Sequence, residues 1–273
     1  MISLTHIPRP PLTELVDLFW LVDSHEVPHE KERVLPNGCM QIILSLRDNG
    51  FRVYDRAHHG HESRLSGSIL TGPSSEFSII NTADVISTIG VCFKPGGARP
   101  LFGLRADEMY DQDADLDTLW GASATSELRE RILAADSPDA KFRVLEDILL
   151  ARACWEQVRH PAVAFALRAF DRIPHTRTIG DVTTQVGLSR RRLIELFRET
   201  IGLTPKRFCR LRRFQEVLGL VCRGQPVDWA EIASACGYFD QAHLIHDFRA
   251  FSGLTPSEYT RLRTAHQNHV LLE

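Results

Sequence analysis

Residues 197–208 read FRETIGLTPKRF, and residues 248–259 read FRAFSGLTPSEY. Both follow the pattern F-R-x-x-x-G-L-T-P-x-x-aromatic, and the second copy begins 51 residues after the first. Glycine suits the left-handed residue that ends a helix. Threonine then proline suits an N-cap followed by the first helical position. The phrase therefore predicts a helix stop, a turn and a new helix start, twice over. Upstream, IGDVTTQVG (179–187) lies over WAEIASACG (229–237), now offset by 50. Each copy predicts a short helix ending at glycine, a second helix ending near Phe-Arg, and then the phrase. That order is helix, turn, helix.

In the first copy Ser189 is the expected N-cap of the second helix. Leu193 and Phe197 fall at i and i+4 on one face. Opposite them lie Arg191, Glu195 and Arg198, with Arg190 and Arg192 alongside. Arginines at the start of the second helix of such a unit sit where base edges and phosphates are read. The plain alternative for an arginine run is a solvated surface. Charge distribution favours the first reading. The net charge is −3 over 273 residues, yet residues 161–273 hold 16 Lys+Arg against 11 Asp+Glu. The basic half is the candidate for a polyanionic partner.

The whole chain has ordinary globular composition, with 43% hydrophobic and 25% charged residues, and its length of 273 residues suits two domains. Residues 1–122 look β-rich. MQIILSL (40–46), FRVYD, SILTG, EFSII and VISTIGVCF are separated by Gly, Pro, Asn and Ser clusters. Short strands with frequent turns predict a barrel or sandwich. From about Ser123 apolar residues recur at three- and four-residue intervals. Residues 123–160 are thus expected to be a helical linker, amphipathic enough to pair with a second subunit. His160-Pro161 breaks that run and opens AVAFALRAFDRI, which puts a boundary near 158–165. The expected class is α+β, a β-rich half plus an all-α half. No apolar run approaches the 18 or so residues of a membrane span, and no signal peptide is evident, so the expected location is cytoplasmic.

Residues 160–263 resemble the AraC/XylS family of bacterial transcription regulators. Two helix-turn-helix units carry the resemblance, the second reading ASACGYFDQAHLIHDFRAFSGLTPSEY. The resemblance implies a DNA-binding domain over 161–265. Its first unit would span about 179–200, its connecting helix 204–222 and its second unit 229–252. Both recognition helices would enter successive major grooves. Thr204 to Val221 is 18 residues, or about 27 Å of helix, which with the girth of both units reaches one DNA turn of about 34 Å. By position, base-reading candidates are Arg191, Ile194 and Glu195 in the first unit and Gln241, Ala242, His243 and His246 in the second. Arg190, Arg192, Arg198, Lys206, Arg207 and Arg249 are placed for phosphates. Thr183 and His246 depart from the family, which favours alanine and arginine there. Residues 228–260 carry a net of −4 and residues 188–213 a net of +7. The first unit is thus expected to supply most electrostatic affinity. The resemblance also implies RNA polymerase as a partner, activation or blocking of it, a small-molecule effector and a homodimer.

ERVLPNGCMQIILSL and IGVCFKPGGARPLFGL resemble a sensor-like region in a subset of these regulators. Lys94 to Arg99 is a strand-to-helix turn that could hold an anion. His58, His59 and His61 lie between two strands as a polar loop, with no spacing that completes a metal site. Leu18, Phe19, Trp20 and Val22 are core candidates or cavity lining, and Arg33 reads as a surface charge. Two rival readings stand beside the regulator. One is a ligand- or protein-binding module acting without sequence-specific DNA binding. The other is an enzyme fused to a DNA-binding module, as in some DNA-repair alkyltransferases with a zinc-bound cysteine. Cys39 and Cys92 look isolated in apolar strands, and no nucleotide, cofactor or metalloprotease fingerprint is present, so no catalytic residue or cofactor is expected.

Overall fold

The computed structural model describes residues 2–24, 29–47, 50–157, 160–172, 179–223 and 228–272. The expected boundary near 158–165 therefore falls partly outside the described residues. The strands are β1 (Ile2–His6), β2 (Val16–Asp23), β3 (Lys31–Val34), β4 (Gln41–Ser45), β5 (Phe51–Tyr54), β6 (Glu62–Leu65), β7 (Ser68–Thr71), β8 (Ser78–Asn81), β9 (Ser87–Phe93), β10 (Asp113–Asp115) and β11 (His269–Leu271). The helices are α1 (Thr82–Val85), α2 (Arg99–Phe102), α3 (Leu116–Trp120), α4 (Ala122–Ala134), α5 (Pro138–Arg152), α6 (Pro161–Arg172), α7 (Ile179–Val186), α8 (Arg190–Ile201), α9 (Pro205–Cys222), α10 (Trp229–Ala235), α11 (Gln241–Ser252) and α12 (Pro256–Leu262). Among them no helix is long and apolar enough to cross a membrane.

The strands form two antiparallel sheets, ordered β1-β2-β9-β4-β7-β10 and β11-β3-β8-β5-β6. Phe19, Ile42, Leu70, Ile89, Val91 and Phe93 on the first sheet are buried. Trp20 lies across Gly90, where a Cβ would stand 2.3 Å from the indole ring. Leu128 and Ile132 of α4, with Phe142, Leu145 and Leu149 of α5, close the same core. The apolar stripes of α4 and α5, within the segment expected to be a helical linker, thus cover the sheet of their own chain. Cys39 and Cys92 are not isolated. Their thiols are hydrogen-bond neighbours, and that contact and burial push Cys92 far above the ordinary thiol range. Both thiols are half-buried.

The other local expectations resolve as architecture. Lys94 Nζ donates to the Thr13 carbonyl at 2.7 Å, and Gly97 lies so close to Leu15 that a Cβ would sit 1.9 Å from its oxygen. The Lys94–Arg99 turn is thus fastened to the chain beside β2. His58 faces Asp55 at 3.4 Å in the turn between β5 and β6, and His59 Nε2 meets the Arg56 carbonyl at 3.1 Å.

The helical half is built on the repeated phrase. Gly202 and Gly253 adopt φ of 84° and 70° and end α8 and α11, each donating to the carbonyl of Arg198 or Arg249. Thr204 and Thr255 cap α9 and α12, each followed by proline at the first position. The first and last aromatic residues of each phrase then meet edge to face. Phe197 and Phe208 are 5.5 Å apart, and Phe248 and Tyr259 are 5.4 Å apart. Phe197 also packs on Phe170 of α6, and Phe248 on Phe214 of α9. Val182, Leu193, Val217, Leu244 and Tyr259 are fully buried around them.

The two halves share a seam that local patterning did not reveal. Strand β11 leaves the helices and pairs with β3, setting Val270 opposite Arg33. Arg33 is a tie across the seam rather than a surface charge: it donates to the Ser252 carbonyl at 3.1 Å and lies 4.7 Å over the Phe77 ring. Gln215 Nε2 donates to the Pro36 carbonyl at 2.6 Å. Both phrase glycines lie on this seam. A Cβ at Gly202 would stand 2.2 Å from Pro73 Cγ, and one at Gly253 would stand 2.8 Å from the Phe77 ring. Gly202→Ala is therefore expected to lose about 2–4 kcal/mol, left-handed strain plus overlap. Gly187 has φ +67° with nothing within 4 Å, so Gly187→Ala is expected to lose only about 1–2 kcal/mol. Urea unfolding of both variants checks this; equal losses would mean the seam contact is slack.

Candidate nucleic-acid interface

Helix α8 starts because Ser189 accepts a hydrogen bond from the Arg192 amide, leaving Arg190, Arg191 and Arg192 on the exposed first turn. Leu193, Leu196, Phe197, Thr200 and Ile201 take the buried stripe. The outward face carries Arg191, Ile194, Glu195 and Arg198. Arg191 is 91% exposed and donates Nε to Glu195 at 2.9 Å, while Arg192 approaches the other carboxylate oxygen at 3.6 Å. The Arg191 hydrogen bond holds the Glu195 carboxyl below its usual range. The face thus offers ionised donors and acceptors side by side, held by a solvent-exposed contact that exchanges readily.

Helix α11 is set by other means. Asp240 caps it by accepting from the His243 amide at 2.7 Å. Buried Asp247 receives Arg210 at 2.7 Å and Arg213 at 3.8 Å from α9, which fixes the rotation of the helix. Gln241, Ala242, His246, Arg249 and Ala250 are exposed, and Ile245 is half-buried between them. His246 is 77% exposed, 3.6 Å from the Asp247 carboxylate. His243 departs from the expected reading face. Its ring lies edge-on to Tyr238 at 5.2 Å, and its Nδ1 accepts from the Phe239 amide at 3.5 Å. It braces the turn between α10 and α11.

The charge count also changes on inspection. Four of the second unit's five acids have structural partners. Asp228 and Asp240 are N-caps, Glu258 completes a capping box with Thr255, and Asp247 is the buried partner of two arginines. Carboxylates at N-caps face the positive end of a helix dipole, which offsets part of their charge. The same pairing removes Arg210 and Arg213 from the first unit's tally.

Two phosphate candidates face the β-rich half. Arg198 Nε donates to Asp107 at 3.2 Å, and Asp107 also holds Arg105 at 2.9 Å. Arg207 lies 3.8 Å from Glu76 and 5.6 Å over the Tyr110 ring. Arg190, Arg192, Lys206 and Arg249 remain exposed. Sequence reasoning missed Asp107 and Glu76 because neither carries a local motif. It also passed over Ile245, although Ile245 stands opposite Ile194 in the 51-residue alignment.

Residues 182–262 match the family model described as Helix-turn-helix domain, and residues 4–115 match the one described as Domain of unknown function (DUF6597). No curated protein sequence matches. Among solved structures, ToxT from Vibrio cholerae is 13% identical, covering 95% of this chain and 98% of its own, with a TM-score of 0.49. The C-terminal domain of AraT, a response regulator from Geobacillus stearothermophilus, is 20% identical over 39% of this chain and 88% of its own (TM-score 0.36). A DNA-binding transcriptional dual regulator from Escherichia coli K-12 is 22% identical over 38% of this chain and 95% of its own (TM-score 0.33). The helical half of this chain, with its two capped helix pairs on one connecting helix, carries a helix-turn-helix domain over residues 182–262.

Proposed function

We propose that the chain is a sequence-specific DNA-binding transcription regulator whose β-rich half tunes DNA binding in response to an effector. One observation carries the reading. The 18-residue α9 joins two helix-turn-helix units, each presenting an exposed second helix. An α-helix fits the major groove, and α9 at about 1.5 Å per residue separates the units by about 27 Å before their girth is added. Arg191, Ile194 and Glu195 suit guanine, thymine and cytosine respectively. Gln241, Ala242 and His246 are the matching set in the second unit. Arg190, Arg192, Lys206 and Arg249 suit phosphates, joined by Arg198 and Arg207 once these leave their acidic partners. The bound chain recruits or blocks RNA polymerase.

The effector response follows from the seam. Asp107 competes with DNA for Arg198, so the β-rich half weakens DNA binding while that pair is closed. Its carboxyl is held below the usual range, first by the Arg105 hydrogen bond and further by Arg198. A lowered folded-state value means the ionised pair is present above the ordinary carboxylate range and is lost only as pH falls below it. The closed pair therefore persists at neutral pH, and its opening needs a ligand with different affinity for the two arrangements.

Selection of bound duplexes from a random DNA pool tests the reading. The expected result is one sequence with two half-sites about one helical turn apart; only salt-sensitive, sequence-blind binding would favour the module that acts without DNA. On the selected duplex, Arg191→Ala is expected to weaken binding about tenfold or more, and His246→Ala to weaken it less. Mobility shift decides between them, and the reverse order would assign the main grip to the second unit. Asp107→Asn is expected to tighten binding about two- to fivefold. Unchanged or weaker binding would mean that the Arg198 contact does not compete with DNA.

A further inference from the structure

The exposed face of α11 is chemically unlike that of α8. Ala242, Ile245, His246, Arg249 and Ala250 line one shallow concave surface. The aligned residues on α8 are Arg191, Ile194, Glu195, Arg198 and Glu199. Isoleucine and the outer arginine are shared. Where α8 has Arg191 and Glu199, α11 has Ala242 and Ala250 flanking Ile245, and His246 stands in the place of Glu195. Phe239, 92% exposed just before the Asp240 cap, adds apolar surface at the N-terminal end of the helix. The rim is cationic at Arg249, which suits a flanking phosphate. The Asp247 anchor on the inward side keeps this face turned outward.

We propose that α11 reads thymine 5-methyl groups through Ile245, with Ala242 allowing close approach. The inference rests on the DNA-binding reading and names what the second unit recognises. In the major groove the thymine methyl is the apolar group among base edges otherwise offering donors and acceptors. Between His246 and Arg249, which carry the polar groups of this surface, Ala242, Ile245 and Ala250 have no hydrogen-bonding side chain to offer those edges. They gain instead by taking the methyl out of water. The charged rim favours a nucleic acid over an apolar protein segment as the occupant. The balance then differs between the units: Ile194 of the first stands between Arg191 and Glu195, whereas Ile245 of the second stands between Ala242 and Ala250, so methyl burial weighs more in the second.

Uracil tests this directly, because it keeps every hydrogen-bonding group of thymine and lacks only the methyl. Each thymine of the selected duplex is replaced singly by deoxyuridine, and binding of the full chain is followed by fluorescence anisotropy. The wild-type chain is expected to lose about fourfold at one or two positions of the half-site that the second unit occupies, apart from any thymine read by Ile194. Ile245→Ala is expected to bind thymine and uracil equally there, Ile245→Val to keep the preference, and Ile194→Ala to leave these positions unaffected. Circular dichroism melting confirms that the variants fold. A selected duplex indifferent to uracil, or an Ile245→Ala chain that keeps the same uracil sensitivity, overturns the proposal while leaving the DNA-binding reading intact. Failure to select any duplex overturns both.

Discussion

Each helix-turn-helix unit depends on one aromatic contact made across its Gly-Leu-Thr-Pro turn. The glycine stops one helix and the threonine starts the next, but a turn alone fixes only a distance. The angle comes from the rings: Phe197 against Phe208 and Phe248 against Tyr259, at interplanar angles of 70° and 61°. Edge-to-face rings are a preferred geometry and hold direction as well as separation. Helix α9 then takes part in both units. Phe208 near its start meets the first unit, and Phe214 further along meets Phe248 of the second at 5.0 Å. The repeat interval in the chain thus contains α9, whose Phe208 and Phe214 are the rings at which the two units attach.

Because the scaffold is fixed by buried positions, the outward positions can diverge without affecting the fold. Leu193 and Leu244 are equally buried, as are Phe197 and Phe248. Between them the exposed registers carry Arg191 and Glu195 in one helix and Ala242 and His246 in the other. Anchoring differs as well. The second unit is locked by a buried carboxylate between Arg210 and Arg213, an arrangement in which removing one partner typically costs about 3–5 kcal/mol. Such a lock gives α11 a definite rotation, which the methyl contact proposed for Ile245 needs more than a charged contact would. Long arginines search for their partners, whereas an isoleucine meets a methyl group only where the helix places it.

The helices were legible in the sequence because their signals are local. Ser189, Thr204, Asp228, Asp240 and Thr255 each cap within three residues, and glycine ends each recognition helix. The strands of the β-rich half were legible as a class, from short apolar runs and frequent turns. What stayed hidden has long sequence separation. Arg33 finds Ser252, Gln215 finds Pro36, and β11 returns to β3 across most of the chain. No periodicity encodes such pairings. Charge counting is coarse for a related reason. A net of −4 treats every acid alike, yet capping carboxylates accept from helix-end amides and buried Asp247 is paired with two arginines, which a tally does not see.

The repeated glycines carry two constraints that coincide in space. Each must adopt a left-handed backbone to end its helix, and each must lack a side chain to admit the β-rich half. Pro73 touches the first and Phe77 the second, so one short loop contacts both reading units at the same point of their turns. The inner distance between the units is set by α9, a continuous helix that does not stretch. The outer contacts are set by residues 73–77. A displacement of that loop therefore cannot act on one unit alone. Either both units rock about α9 together, or one glycine contact opens while the other holds. Packed interfaces of this kind favour discrete arrangements over continuous deformation, so the seam suits a two-state response better than a graded one.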